Sequence, residues 1–404
     1  MAAYQSSASA GRAKALAIVL LALCACAVPR AFAEAFPPKA NAAWVYDPQG
    51  QADQDSDGHF AQSIAQYNAH APHKARIGEL YIYGGDMEMY CPHHQATRCQ
   101  PGDFHVYYSR ASRHHEESDS GRVTNTSVRA YAKRLGIQPD GGRMIVSPVI
   151  DGAVTKNGAL GGFDRLGARQ AKLFADKVAR QVCADPLVDG IQFDLEPFNV
   201  KKKAGQYYFF KGIARAFSSR DTGCVDGQHP HGRFFSIFTS ANRIRPHSAS
   251  ARHVRQIMDV AHNGYLIASL YDLKGTPAGH QTPLDVYRRL VRRQTRQMRR
   301  WADQLGIDYQ FAIPVAAAAH EYGGCHGRGC RPAGRSQQDA NPDQIQLQYA
   351  KAAVTAIRAS GATSDTHWLG TALWAWSPDI EHGGMHFSPR KPPARVRRYL
   401  RGQL

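Results

Sequence analysis

Short apolar runs alternate with longer segments of helical period along most of this chain. The apolar runs are Ile77–Tyr83, Phe104–Tyr108, Met144–Ile150, Val188–Leu195, Phe234–Thr239, Tyr265–Tyr271, Tyr309–Val315 and Trp368–Trp376. They are rich in Ile, Val, Tyr and Phe and mostly continuous rather than strictly alternating, as strands buried on both faces should be. Amphipathic segments fall between most of them, over about 124–135, 164–182, 203–218, 250–260, 283–303 and 343–360. Eight strands with intervening helices predict the α/β class and a single (β/α)8 barrel rather than an open sheet. The first third is the irregular part, with loops expected at 85–102 and 110–122. Residues 34–75, polar and rich in Asp, Gln and His, predict a lead-in that packs onto a barrel spanning 76–404.

One apolar run is of another kind. Arg12 and Lys14 precede the stretch Ala15–Val28, which ends in Pro29 and Ala31-Phe32-Ala33. A basic head, a short apolar middle and an A-x-A ending predict a secretory signal peptide over 1–33, cleaved before Glu34. The stretch is short for a membrane span, and no other run suggests one. Leu23-Cys24-Ala25 makes a poor lipid-attachment signal at Cys26, so a secreted or periplasmic protein is expected.

Export makes the cysteines readable. After cleavage Cys91, Cys99, Cys183, Cys224, Cys325 and Cys330 remain, an even number in an oxidising compartment. Cys91/Cys99 and Cys325/Cys330 are close enough to pin loops, which leaves Cys183 with Cys224. These last two would lie near the bottom rim of the barrel, at the ends of the helices before the fourth and fifth strands. The competing reading is a metal site using His93, His94, His320 or His326, but no C-x-x-C pair supports it and no metal or cofactor is expected.

The densest chemistry lies in Val188-Asp189-Gly190-Ile191-Gln192-Phe193-Asp194-Leu195-Glu196-Pro197. Alternation along a strand puts Gln192, Asp194 and Glu196 on one face and Ile191, Phe193 and Leu195 on the other. With the apolar set against the helices, the polar set climbs inside the barrel toward its C-terminal mouth, where barrel enzymes keep their chemistry. Confined carboxylates repel, so one should hold a proton near neutrality, as glycosidic bond cleavage requires. The rival reading makes these acids caps of the next helix or partners of surface arginines. Their place at the end of an apolar strand speaks against it.

This run resembles the D-G-x-D-x-D-x-E signature of glycoside hydrolase family 18, the chitinase-like TIM-barrel family. Ala268-Ser269-Leu270-Tyr271-Asp272 is similar to that family's M-x-Y-D, and Gly370-Thr371-Ala372-Leu373-Trp374 to its G-x-x-x-W. Asp151-Gly152 after the third strand resembles the S-x-G-G segment only loosely. The resemblance covers roughly residues 76–380. It implies an enzyme that acts on a polysaccharide or oligosaccharide containing β-linked N-acetylglucosamine: chitin, peptidoglycan or an N-glycan. Glu196 would be the acid and base, Asp194 would hold the substrate's own 2-acetamido group as it attacks, and Tyr271 would bond the acetamido oxygen. Asp189 and Gln192 complete the motif, Trp374 would floor the sugar site, and Asp272 would position the sugar. Tyr83 and Trp376, near strand ends, are further candidate sugar contacts. Gln192 is the departure, because it stands where the family has its middle Asp. A non-catalytic sugar-binding barrel is therefore the alternative, although such members usually lose the Glu that this chain keeps.

The charge balance adds a separate feature. The chain has 50 Lys and Arg against 33 Asp and Glu, a formal +17. Arg288, Arg289, Arg292, Arg293, Arg296, Arg299 and Arg300 crowd one helix. They form either a solvated outer face or a surface for an anionic cell-wall polymer. No recognised nucleic-acid-binding motif is present. Asn125-Thr126-Ser127 meets the N-glycosylation pattern formally.

Overall fold

The computed structural model describes residues 36–45, 63–89, 103–107, 143–155, 158–240, 245, 247–271, 273, 282–315, 342–376, 380–382, 385–387 and 392–404. The barrel strands are β1 (Asn41–Val45), β2 (Ile77–Met89), β3 (Val149–Ala153), β4 (Gly190–Glu196), β5 (Phe234–Ser240), β6 (Gly264–Ser269), β7 (Tyr309–Pro314) and β8 (Trp368–Trp374). Each pairs in parallel with the next, and β8 pairs in parallel with β1, so the sheet closes on itself as an eight-stranded barrel. The outer helices are α1 (Ala168–Cys183), α2 (Gly205–Phe217), α3 (Ala249–Met258), α4 (Leu284–Leu305), α5 (Pro342–Ala359) and α6 (Ala394–Gln403). The expected α/β barrel is therefore the observed fold.

Two apolar layers result from strands buried on both faces. Ile191, Phe193 and Leu195 join the larger cluster between sheet and helices, together with the Ala171, Phe174, Val178 and Val182 stripe of α1. Trp44, Tyr81, Val149, Phe234, Tyr265 and Ile267 fill the barrel interior. The alternation along β4 is thus realised, with Gln192 inside and fully buried. Segment ends follow ordinary capping chemistry: the Ser248 hydroxyl accepts from the Ala251 N–H at 3.1 Å to start α3, and Gly306 at φ 63° closes α4.

The first third departs from expectation in two places. The supposed lead-in 34–75 supplies β1, a full barrel strand whose Ala42, Ala43, Trp44 and Val45 are buried. Its Asn-Ala-Ala-Trp-Val sequence is too short and too rich in small residues to stand out as an apolar run. Phe104–Tyr107, expected as a barrel strand, instead pairs antiparallel with Asp86–Met89, an extension of β2 into the region expected as loop. Apolar character marks a strand but does not name its partner. The two differences compensate, so the strand carrying Asp194 and Glu196 is still the fourth. The expected helix at 124–135 and the signal segment 1–33 lie outside the described residues, as do Cys91, Cys99, Cys325, Cys330 and the Asn125 motif.

Cys183, the last residue of α1, is disulfide-bonded to Cys224, which follows α2, with Cα atoms 4.9 Å apart. This is the expected pairing. Among the described residues, no helix is long and apolar enough to cross a membrane.

Candidate active site

The barrel interior is layered. Deepest is Glu79 on β2, with no solvent exposure, which accepts hydrogen bonds from the Ser147 hydroxyl at 2.6 Å and from Tyr265 at 3.2 and 3.3 Å. Tyr81 Oη lies 2.7 Å from Tyr265 Oη and donates to Gln310 Oε1 at 2.7 Å. Burial pushes the Glu79 carboxyl up to about 7, against the lowering pull of these hydroxyls.

Above it, the indole N–H of Trp44 donates to Gln192 Oε1 at 3.1 Å. The Trp44 ring meets Trp374 edge-on at 5.7 Å and Phe238 at 6.3 Å. Trp374, half-buried at the end of β8, stacks on Tyr271 at 5.2 Å with an 18° interplanar angle. Tyr271 follows β6 and its ring lies 5.8 Å from that of Phe238. An aromatic wall so forms from four strand ends.

The carboxylates sit beside this wall. Asp194 is half-buried, with Oδ1 closed off from solvent and making no hydrogen bond. Glu196, two residues further along β4, is exposed at the mouth. Asp151 on β3 is directly in register with Asp194. Burial, and after it the negative charges of Asp151 and Glu196, hold the Asp194 carboxyl well above the usual carboxylate range. A proton-holding Asp194 next to the exposed carboxyl group of Glu196 is an arrangement able to give and take protons at a bound ligand.

The structure gathers Gln192, Asp194, Glu196, Tyr271 and Trp374 at one end of the barrel. It places two other candidates elsewhere. Asp189 precedes β4 at the opposite end, where its carboxylate accepts from the Val146 N–H at 2.8 Å, lies 3.1 Å from His229 Nε2 and pairs with Arg143. It ties the barrel bottom together, because the residue just before a strand cannot reach the far mouth. Trp376 is fully buried outside the barrel wall, its indole N–H on the Ser63 hydroxyl at 3.3 Å and its ring edge-on to Tyr67. Two residues beyond the strand end, the chain has turned away from the cavity. Gln192 spends its oxygen on Trp44 and makes no bond to Asp194. Tyr83 lies on β2 in register with Val149, and Asp272 falls outside the described residues.

Trp44 and Asp151 join the site without having been assigned a role in it from the sequence. Trp44 was hidden in the short first strand. Asp151 carried a usable signal, since it ends an apolar strand just as Asp194 and Glu196 do.

No family model matches the chain, and no curated protein matches it. Solved structures similar to it include a GH113 β-1,4-mannanase, with 10% identity, 90% of this chain and 97% of that one covered, and a TM-score of 0.48. An endo-β-1,4-glucanase from Xanthomonas axonopodis pv. citri shows 11% identity, 90% and 99% coverage and a TM-score of 0.49. A GH18 chitinase from Pseudoalteromonas aurantia shows 10% identity, 90% and 100% coverage and a TM-score of 0.45.

Proposed function

We propose that this protein is an exported glycoside hydrolase that cleaves β-linked glycans containing N-acetylglucosamine. The observation that carries the reading is the end of β4. It presents a proton-holding Asp194 and an exposed Glu196 at the barrel mouth, against the Trp374–Tyr271 wall. Aromatic faces suit the apolar faces of sugar rings, Glu196 supplies the proton, and Asp194 supports the acetamido group. The Cys183–Cys224 disulfide is consistent with an oxidising compartment.

In this reading Glu196 gives its proton to the glycosidic oxygen as the bond to the anomeric carbon breaks. The substrate's acetamido carbonyl oxygen attacks that carbon from the opposite face and forms a cyclic oxazolinium. Asp194 passes its proton to Asp151, accepts from the acetamido N–H and, as an anion, offsets the positive charge. Glu196, now ionised, takes a proton from water as it adds to the anomeric carbon, with net retention. Asp151 takes the place of the carboxylate that Gln192 lacks: it shares the proton of Asp194 across the strand pair, while Gln192 holds Trp44.

The test compares turnover of N-acetylglucosamine oligomers with that of the same oligomers carrying free amines. Cleavage confined to the acetylated set is expected. Equal cleavage of both would remove the acetamido group from the mechanism. Binding of the acetylated set without cleavage would favour a sugar-binding protein that has lost turnover.

A further inference from the structure

The end of the barrel opposite the mouth holds a second concavity, with a volume of about 430 Å³. Its lining comes from the N-terminal ends of β1, β2 and β8 and from the segment before β3, so none of it belongs to the carboxylate site. Four basic side chains, Lys39, Lys74, Arg76 and Arg143, line it from separate parts of the chain. Among the described residues the one acid that lines it is Asp365, and that carboxylate is already engaged by Tyr309 Oη at 3.1 Å and by Arg299 at 3.6 Å. Cations outnumber acids even when Asp189, the partner of Arg143, is counted. Ile77, Ile145 and Trp368 supply an apolar part of the lining.

The positive surface does not stop at this cavity. His73 and Lys74, which line it, belong to a turn packed against α6. That helix carries Arg395, Arg397, Arg398 and Arg401 and no acid. It packs on α5, and α5 packs on α4. On α4, at about 100° per residue, the seven arginines fall within an arc of roughly 140°, and all are exposed. Among the described residues, Arg289 pairs with Asp285 and Arg299 with Asp365 on this face.

We propose that this end of the barrel is a docking site for a polyanionic glycan. One carboxylated or phosphorylated sugar sits in the cavity, and the chain runs on over the arginines of α6 and, across α5, those of α4. A pocket with both cations and apolar side chains fits an anionic sugar better than a bare ion, and the extended basic surface fits a chain of such sugars. A single-stranded nucleic acid would call for a file of aromatic platforms, whereas this lining holds Trp368 and the imidazole of His73. A membrane surface would call for exposed apolar anchors on α4, but Val291, Met298 and Trp301 of that helix are buried. The site goes beyond the proposed activity and does not depend on it, because the two lie at opposite ends of the barrel.

Binding of the full chain to polygalacturonate at about 150 mM salt tests it. Neutral chitin oligomers, duplex DNA and phosphatidylglycerol vesicles run alongside. Lys39→Glu/Lys74→Glu changes two exposed cavity residues, and Arg292→Glu/Arg296→Glu changes the helix face. Salt-sensitive binding to polygalacturonate is expected, weakened at least about tenfold by the cavity pair and less by the helix pair, with an unchanged melting temperature. Lack of binding overturns the proposal, as does wild-type affinity in the cavity variant. Equal or tighter binding to DNA or to vesicles overturns the assignment to a glycan.

Discussion

Glu79 should make the fold less stable as the pH rises, and replacing it with Gln should remove that dependence. Its carboxyl is fully buried among hydroxyl donors, and burial raises it from 4.5 to about 7. The nearby charge of Asp189 raises it further, and no cation offsets it. A group raised in the folded state binds more protons folded than unfolded between those two values. The stability it contributes is therefore present below the unfolded value and is lost as the pH climbs toward 7. A shift of that size corresponds to about 3 kcal/mol, of which roughly 2–3 kcal/mol falls between about pH 5 and about pH 8. Gln keeps the shape and stays neutral throughout. Urea unfolding of both proteins at the two pH values isolates the effect, because every other titrating group is shared. The wild type should lose roughly 2–3 kcal/mol more than Glu79→Gln over that interval. Parallel pH dependences in the two proteins would refute the reasoning.

Two further outcomes follow from particular contacts. Asp151→Asn removes a negative charge that raises Asp194, so the step in the pH–rate profile set by Asp194 should move to lower pH; an unmoved profile would show that the pair is not coupled. Cys183→Ala/Cys224→Ala opens a link of sequence separation 41 and should cost about 4 kcal/mol by chain entropy, read by urea unfolding against the oxidised wild type.

The sequence makes β2 to β8 visible because strands buried on both faces need dense apolar runs. Five of the six described outer helices were likewise foreseen within a few residues, since each shows an apolar stripe of helical period. The α6 helix was missed: it buries only Val396 and Leu400 and is otherwise largely arginine. At the site, strict alternation along β4 was enough to aim Asp194 and Glu196 into the barrel. What it could not supply was contact between distant segments. Trp44 meets Gln192 across 148 residues of chain, and Asp151 meets Asp194 only through strand register. Trp376 shows the converse, for its aromatic character is the same in a core as on a sugar platform, and only the turn after β8 decides between them.

Everything in the proposed chemistry turns on Glu196 as the proton donor of a glycosidase. Turnover of N-acetylglucosamine oligomers and peptidoglycan fragments by wild type and by Glu196→Gln, with binding measured in parallel, tests it most directly. Wild-type cleavage should fall by about 10²–10⁴-fold in the variant while oligomer affinity is retained. Wild-type rates in Glu196→Gln, or binding without any cleavage by the wild type, would contradict it.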